Sequence, residues 1–226
     1  MPHLKNNNAL FIVATPIGNL GDCSWRMVEV LKSVDLIACE DTRVTGKLLS
    51  HFEIKTRTIS FHQHSNQSKT QELIDLLKSG SSIALVTDAG TPGISDPGGK
   101  LVEAAVKEGV NVIPIPGPSA IITALSASGF PTDRFSFLGF PPNKKGRLTY
   151  FKNLAKVNDT FAFYESTHRI EKTLEQVPQD RQMIVCRELT KMHEHIYRGT
   201  AKEILSQLAR TSSKGEFVVV MAPRRK

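Results

Sequence analysis

No stretch of this 226-residue chain approaches the roughly 18–20 consecutive apolar residues that a membrane-spanning helix needs. The opening residues, Met1-Pro2-His3-Leu4-Lys5-Asn6-Asn7-Asn8, contain no apolar secretory core. The cysteines are few, and Cys23, Cys39 and Cys186 show no paired spacing. Cys39 and Cys186 sit in apolar, strand-like runs and read as small buried hydrophobes. Together these features predict a cytoplasmic protein without membrane contact. No internal repeat or low-complexity tract appears. There is no Gly-x-x-x-x-Gly-Lys-Ser/Thr loop and no Gly-x-Ser-x-Gly elbow, which argues against P-loop and α/β-hydrolase chemistry. Gly18-Asn19-Leu20-Gly21, with Glu40 or Asp41 about twenty residues on, imitates part of a dinucleotide fingerprint. Its opening Gly-x-Gly is missing, and Thr15-Pro16-Ile17 stands there instead, so a nicotinamide dehydrogenase is not expected. His62-Gln63-His64 and His193-Glu194-His195 have no neighbouring cysteine or carboxylate cluster at ligand spacing. No metal is expected.

What the chain does have is concentrated in three loops. The apolar run Ile83 to Val86 enters Thr87-Asp88-Ala89-Gly90-Thr91-Pro92-Gly93-Ile94-Ser95-Asp96-Pro97-Gly98, followed by a helical pattern over Lys100 to Glu108. Glycines admit close backbone approach and prolines stiffen a loop. Loops at the carboxyl ends of parallel strands are where open α/β sheets bind ligands. A second loop, Thr15 to Asp22, follows the strand pattern Ala9 to Ala14. Ser24 or Asp22 caps the helix expected from Trp25 to Leu31. The third, Pro114-Ile115-Pro116-Gly117-Pro118-Ser119-Ala120, joins a strand over Val110 to Ile113 to a helix over Ile121 to Ser126. Three such loops predict one composite pocket.

Strand and helix signals alternate through the first half: strands at Asp35 to Cys39 and Thr58 to Phe61, helices at Val44 to Phe52 and Thr70 to Lys78. This predicts a mostly parallel α/β layer. In the second half, strands are expected at Phe135 to Leu138, Thr160 to Tyr164, Met183 to Arg187, His195 to Arg198 and Phe217 to Met221. Helices fall near 147–156, 167–176 and 202–208. The spacing of 183–187 and 195–198 suits a hairpin, so this half reads as a mixed sheet. The fold class is therefore α/β with two α/β domains, 1–115 and 116–226, and a cleft between them. Hydrophobic residues make up 40% of the chain, enough for one or two cores.

Charge divides unevenly. Residues 1–117 carry a net charge of −1 and residues 118–226 a net charge of +8. The surplus lies in Lys144-Lys145-Gly146-Arg147, Lys152, Lys156, Arg169, Lys191 and Arg224-Arg225-Lys226. A surplus confined to one domain is the footprint of a nucleic-acid binder, and Lys144, Lys145 and Arg147 are expected to contact phosphates. The plain alternative is a solvated surface with a basic tail.

Ala14-Thr15-Pro16-Ile17-Gly18-Asn19-Leu20-Gly21-Asp22, Glu40-Asp41-Thr42-Arg43, the Asp88–Gly98 loop and Pro116-Gly117-Pro118-Ser119-Ala120 resemble the tetrapyrrole-methylase superfamily. Within it they are most similar to the branch that methylates ribosomal RNA of the small subunit at a ribose 2′-hydroxyl of a decoding-centre cytidine. The resemblance runs from Leu10 to about Met221. It implies an S-adenosyl-L-methionine (SAM) site between two α/β domains of a homodimer, and 16S rRNA in the 30S subunit as partner. Some members carry a small carboxyl-terminal extension, which this chain, ending at Lys226, is expected to lack. For the cofactor the resemblance implies Pro16, Ala89, Gly90, Thr91, Ile94, Ser95, Ser119 and Ala120. Tyr164, Leu189 and Phe217 are implied as walls around the adenosine. The expected base is Glu40 or Asp41, with Glu165, His168 and Glu188 as further candidates. Each has a structural alternative: Glu40 or Asp41 as a helix cap, Glu165 and His168 as a pocket-wall pair, Glu188 paired with Arg187 or Lys191. The alternative substrate is a precorrin-type tetrapyrrole. Thr91 stands where tetrapyrrole-modifying members tend to carry Asp, which counts against it.

Overall fold

A computed structural model describes residues 8–63, 65 and 67–224. The chain divides into two compact units between Ser119 and Ala120. Met1 to Asn7, His64, Asn66, Arg225 and Lys226 lie outside the described residues, and with them the expectations placed on the leader, on the His62-x-His64 pair and on most of the basic tail.

Unit 1 alternates strand and helix: β1 (Ala9–Val13), α1 (Trp25–Ser33), β2 (Leu36–Cys39), α2 (Thr42–His51), β3 (Thr58–Ser60), α3 (Gln67–Lys78), β4 (Ile83–Val86), α4 (Gly99–Lys107) and β5 (Asn111–Ile115). All five strands are parallel, in the order β3-β2-β4-β1-β5. The central strands are apolar without alternation because helices cover both faces. On one face Phe11, Val13, Ile37 and Val86 pack against Met27, Val30 and Leu31 of α1 and Leu48 and Leu49 of α2. On the other, Leu10, Ala38, Ile83 and Leu85 pack against Leu73, Ile74 and Leu77 of α3 and Leu101 and Ala105 of α4. Ser24 caps α1 by accepting the Met27 N–H at 3.1 Å, contributing about 1 kcal/mol. Pro114 falls inside β5 rather than in the following loop. The sheet tolerates it because β5 is an edge strand.

The neighbours β1 and β4 send their chains to opposite faces, to α1 and to α4. Their carboxyl ends therefore form the topological switch point of the sheet, the place where open α/β sheets leave a crevice.

Unit 2 contains α5 (Ala120–Ser126), β6 (Phe135–Phe137), α6 (Arg147–Leu154), β7 (Thr160–Ser166), α7 (Ile170–Gln176), β8 (Met183–Arg187), β9 (His195–Gly199), α8 (Ala201–Arg210) and β10 (Glu216–Met221). Its sheet order is β6-β7-β10-β8-β9. Only β6 and β7 run parallel, and β8 and β9 pair as the expected hairpin. Alternate residues of β7, β8 and β10 build one core with α6, α7 and α8. Thr200 and Glu203 form a capping box on α8. Among the described residues no helix is long and apolar enough to cross a membrane.

Candidate functional site

The loops that follow β1 and β4 are tied together at the switch point. Thr15 N–H donates to Gly90 O at 2.9 Å, and Gly90 N–H donates back to Thr15 O at 3.1 Å. The buried Thr15 hydroxyl adds a bond to Thr87 O at 3.0 Å. Gly90 has φ +82°, a conformation that costs a residue with a Cβ about 1 kcal/mol or more. The third loop closes in as well. A Cβ on Gly117 would stand 3.0 Å from the Ala14 Cβ, so only glycine permits this approach without displacement. Ala14 N–H donates to Ile115 O at 3.3 Å. The three loops predicted from sequence thus meet at one edge of unit 1.

The loop after β2 joins them, because β2 pairs with β4. Asp41 N–H donates to the Asp88 carboxylate at 3.1 Å. Four carboxylates gather here, and their environments push them apart. Asp41 caps α2 through the Arg43 N–H at 2.8 Å and forms an ion pair with the Arg43 guanidinium at 2.6 Å. The hydrogen bond from the Arg43 side chain, above all, holds its pKa down at about 2. Glu40 moves the other way, raised by burial and then by the charge of Asp88. Asp88 is raised by burial, against the hydrogen bond from Asp41. Asp96 is pushed up to about 6 by burial and by the charges of Glu40 and Asp88. The hydroxyl of Thr87 is buried beside them and has no hydrogen-bond partner among the described residues.

The remaining cofactor candidates of unit 1 occupy these same loops. Pro16 and Thr91 are half-buried, Ala89 and Ser95 are exposed, and Ile94 presents an apolar side chain that is 51% exposed. Ser95 has φ +62°. Ser119 and Ala120 are half-buried on the connection to α5.

In unit 2, Tyr164 is half-buried and its ring lies 5.2 Å from Phe137 and 5.3 Å from Phe140. Leu189 is buried. The ring of Phe217 does not form a ligand wall. It is turned into the core with Phe163 and Leu174, which leaves only its backbone to offer a ligand.

Other expectations need correction. Arg147 is 5% exposed and does not reach solvent phosphates. Its guanidinium bonds to Gln176 Oε1 at 2.8 Å, Pro142 O at 2.9 Å and Thr173 Oγ1 at 2.6 Å. Burial lowers its pKa, with Glu165 opposing. Glu165, offered as a base, is wholly buried between Arg147 and Arg169 and is shut off from any substrate. Glu188 pairs with Lys191 at 3.0 Å, so Lys191 also spends its charge locally, on Glu188 and Glu216. His168 is exposed. His193 lies outside β9 and does not share a strand with His195. Among the described residues no group of three potential ligands surrounds a metal position.

Asp88 and Asp96 are the functional candidates that the sequence reading passed over. They stand inside the loop after β4, where its glycines and prolines carry the local signal. The available signal was the adjacency of β2 and β4, which brings the residues after Cys39 beside those after Val86.

The family model of tetrapyrrole (corrin/porphyrin) methylases matches residues 9–205. The chain is 50% identical, over 94% of its length and 78% of the relative's, to ribosomal RNA small subunit methyltransferase I of Synechocystis sp.. It is 52% identical to the protein of the same name from Vibrio cholerae, over 94% of this chain and 76% of that one. The crystal structure of diphthine synthase superposes with a TM-score of 0.72 at 15% identity, covering 95% of this chain and 90% of the other, a likeness of fold. The chain belongs to the tetrapyrrole methylase family.

Proposed function

We propose that the chain transfers a methyl group from SAM to the ribose 2′-hydroxyl of a decoding-centre cytidine in 16S rRNA of the 30S subunit. One observation carries this reading: about half of all residues match the two ribosomal RNA methyltransferases over 94% of the chain. The basic surplus of residues 118–226 supports it, since RNA is a polyanion. The further expectations of a homodimer, a cytoplasmic location and a composite pocket completed by residues 116–226 belong to the same proposal.

The residues of the unit 1 edge suit SAM. Residues 14–22, 87–98 and 114–119 contain no Lys or Arg, so these loops offer no cationic side chain to a phosphate. Glu40, Asp88 and Asp96 instead favour a cation such as a sulfonium. The unpartnered Thr87 hydroxyl and the backbone of the bridged Thr15 and Gly90 segments supply polar groups at the crevice. Pro16, Gly90, Thr91, Ile94 and Ser95 would hold the cofactor there. When bound, SAM supplies an electrophilic methyl group on its sulfonium sulfur.

The chain's own part is alignment and proton removal. The loops hold the reactants in line, a contribution worth several kcal/mol. A ribose hydroxyl attacks well only as its proton leaves, and a positioned base adds roughly 10²–10⁴-fold. Of Glu40 and Asp41, Glu40 is the better base. Its raised pKa increases proton affinity, whereas Asp41 is engaged as a cap and an ion pair. Incubation with methyl-labelled SAM and either 30S subunits or a porphyrinogen tests the reading. Label in 16S rRNA is expected, and label in the porphyrinogen alone would replace it with the tetrapyrrole alternative.

A further inference from the structure

The loop between β6 and α6 is held by an unusual amount of buried charge. Glu165 on β7 has a wholly buried side chain. Its Oε1 accepts the Ser166 N–H at 2.9 Å and pairs with the Arg169 guanidinium at 2.7 Å. Its Oε2 accepts the Thr173 hydroxyl at 2.5 Å and lies 3.9 Å from the Arg147 guanidinium. Both arginines then reach back to one short stretch, Pro141 to Asn143. Arg147 donates to Pro142 O at 2.9 Å, and Arg169 donates to Pro141 O at 3.0 Å and to the Asn143 side chain. The near side of the loop is anchored too. Tyr164 N–H donates to Gly139 O at 2.9 Å, and the Phe140 ring rests on Tyr164. Consecutive prolines at 141 and 142 remove further freedom.

A buried Arg–Glu–Arg cluster is a poor source of stability. Apolar residues of similar volume often serve as well or better, so what such a cluster can add is a defined shape. Here the shape is that of a loop whose tip carries Lys144 and Lys145. Both are exposed, and neither pairs with a carboxylate among the described residues. The chain turns back through Gly146, at φ +81°, into α6.

We propose that the Arg147–Glu165–Arg169 cluster is a positioning device that fixes the Pro141–Gly146 loop so that Lys144 and Lys145 meet the ribose-phosphate backbone of the RNA substrate. Arg147 acts from inside the fold and touches no phosphate. The inference rests on the RNA methyltransferase reading. A loop already held in its binding shape loses less conformational freedom on association, and that saving appears as affinity.

The test measures methylation of 30S subunits across a salt series, with SAM binding followed separately by calorimetry. The Lys144→Ala, Lys145→Ala pair should raise KM for 30S subunits about tenfold and lower the salt slope by about two units. Asn143→Ala removes one surface acceptor of Arg169 and leaves Glu165 paired, so folding is preserved. It should raise KM roughly threefold, with kcat, SAM affinity and salt slope unchanged, as expected of lost preorganisation rather than lost charge. Glu165→Gln should raise KM in the same way in protein whose circular dichroism matches the wild type. A purely structural role would lower Tm and leave KM alone. Wild-type KM and salt slope in both the lysine pair and Asn143→Ala would overturn the inference while the methylation reading stands. A wild-type protein that leaves 30S subunits unlabelled overturns both.

Discussion

The carboxyl edge of unit 1 and the charged interior of unit 2 handle carboxylates in opposite ways. In unit 2, Glu165 is fully buried, yet two guanidiniums, a hydroxyl and a backbone N–H satisfy it. In unit 1, Glu40, Asp88 and Asp96 are less buried but crowd one another, and among the described residues only Asp41 of the group forms an ion pair with an arginine. Charges of both signs brought together make architecture. Partly buried charges of one sign hold raised pKa values, through burial first and mutual repulsion second, and groups so poised are suited to bind a cation or move a proton.

The sharpest way to break this contrast is to remove the partner that satisfies unit 2. Glu165→Ala leaves two arginines facing each other without a counter-charge, and should cost about 3–5 kcal/mol of stability, read by denaturant unfolding. A loss below 1 kcal/mol would mean the cluster is solvated.

In unit 1 the matching experiment should strike function and spare the fold. Glu40→Gln is expected to lower single-turnover methyl transfer at saturating SAM by about 10²–10⁴-fold, with Tm near wild type. Wild-type rates would move the base elsewhere, and Asp96 would be the next candidate.

Gly90→Val should abolish detectable SAM binding in calorimetry. The added β-branched side chain meets an unfavourable φ of +82°, which strains the Thr15–Gly90 bridge. Unchanged binding would remove this loop from the site.

Acidity separates the two regions again, through Asp96. Its folded pKa of about 6 lies above the ordinary aspartate value of 3.8, so the folded state holds the proton more tightly. That stabilising contribution is complete below pH 3.8 and is lost as pH rises through about 6. Asp96→Asn should therefore raise Tm modestly at pH 7.5 and leave it unchanged at pH 3.5. A lower Tm at pH 7.5 would show that the carboxylate has a partner in solution.

The smallest effect belongs to Asp41→Asn. Asparagine caps helices about as well as aspartate, so stability should barely change. A rate within a few-fold of wild type would fit Asp41 as a cap, whereas a loss as large as that of Glu40→Gln would make the two carboxylates a catalytic pair.

Much of this was legible in the amino-acid order. The apolar runs at Ala9–Val13 and Ile83–Val86 and the glycine- and proline-rich loops after them carry local signals, and local signals survive folding. Ser24 at the start of α1 is of the same kind. The misreadings concern residues whose neighbours are distant in sequence. Arg147 looks like part of a basic surface run until Glu165, Thr173 and Gln176 arrive from β7 and α7. Phe217 looks available until the strand alternation of β10 turns it toward the helices. Pro114 looks like a loop residue until β5 proves to be an edge. Glu40 and Asp41 are adjacent in sequence and opposite in state, because Arg43 holds one charged while burial, and then the charge of Asp88, favours the proton on the other.

The most direct test of the central claim is the chemical identity of the product. After reaction of the wild-type protein with methyl-labelled SAM and 30S subunits, the 16S rRNA is digested to nucleosides and the labelled species is identified by chromatography and mass spectrometry. The account predicts one labelled nucleoside, a cytidine methylated on the ribose 2′-oxygen. Label on a base, or RNA without label while a porphyrinogen becomes methylated, would contradict it.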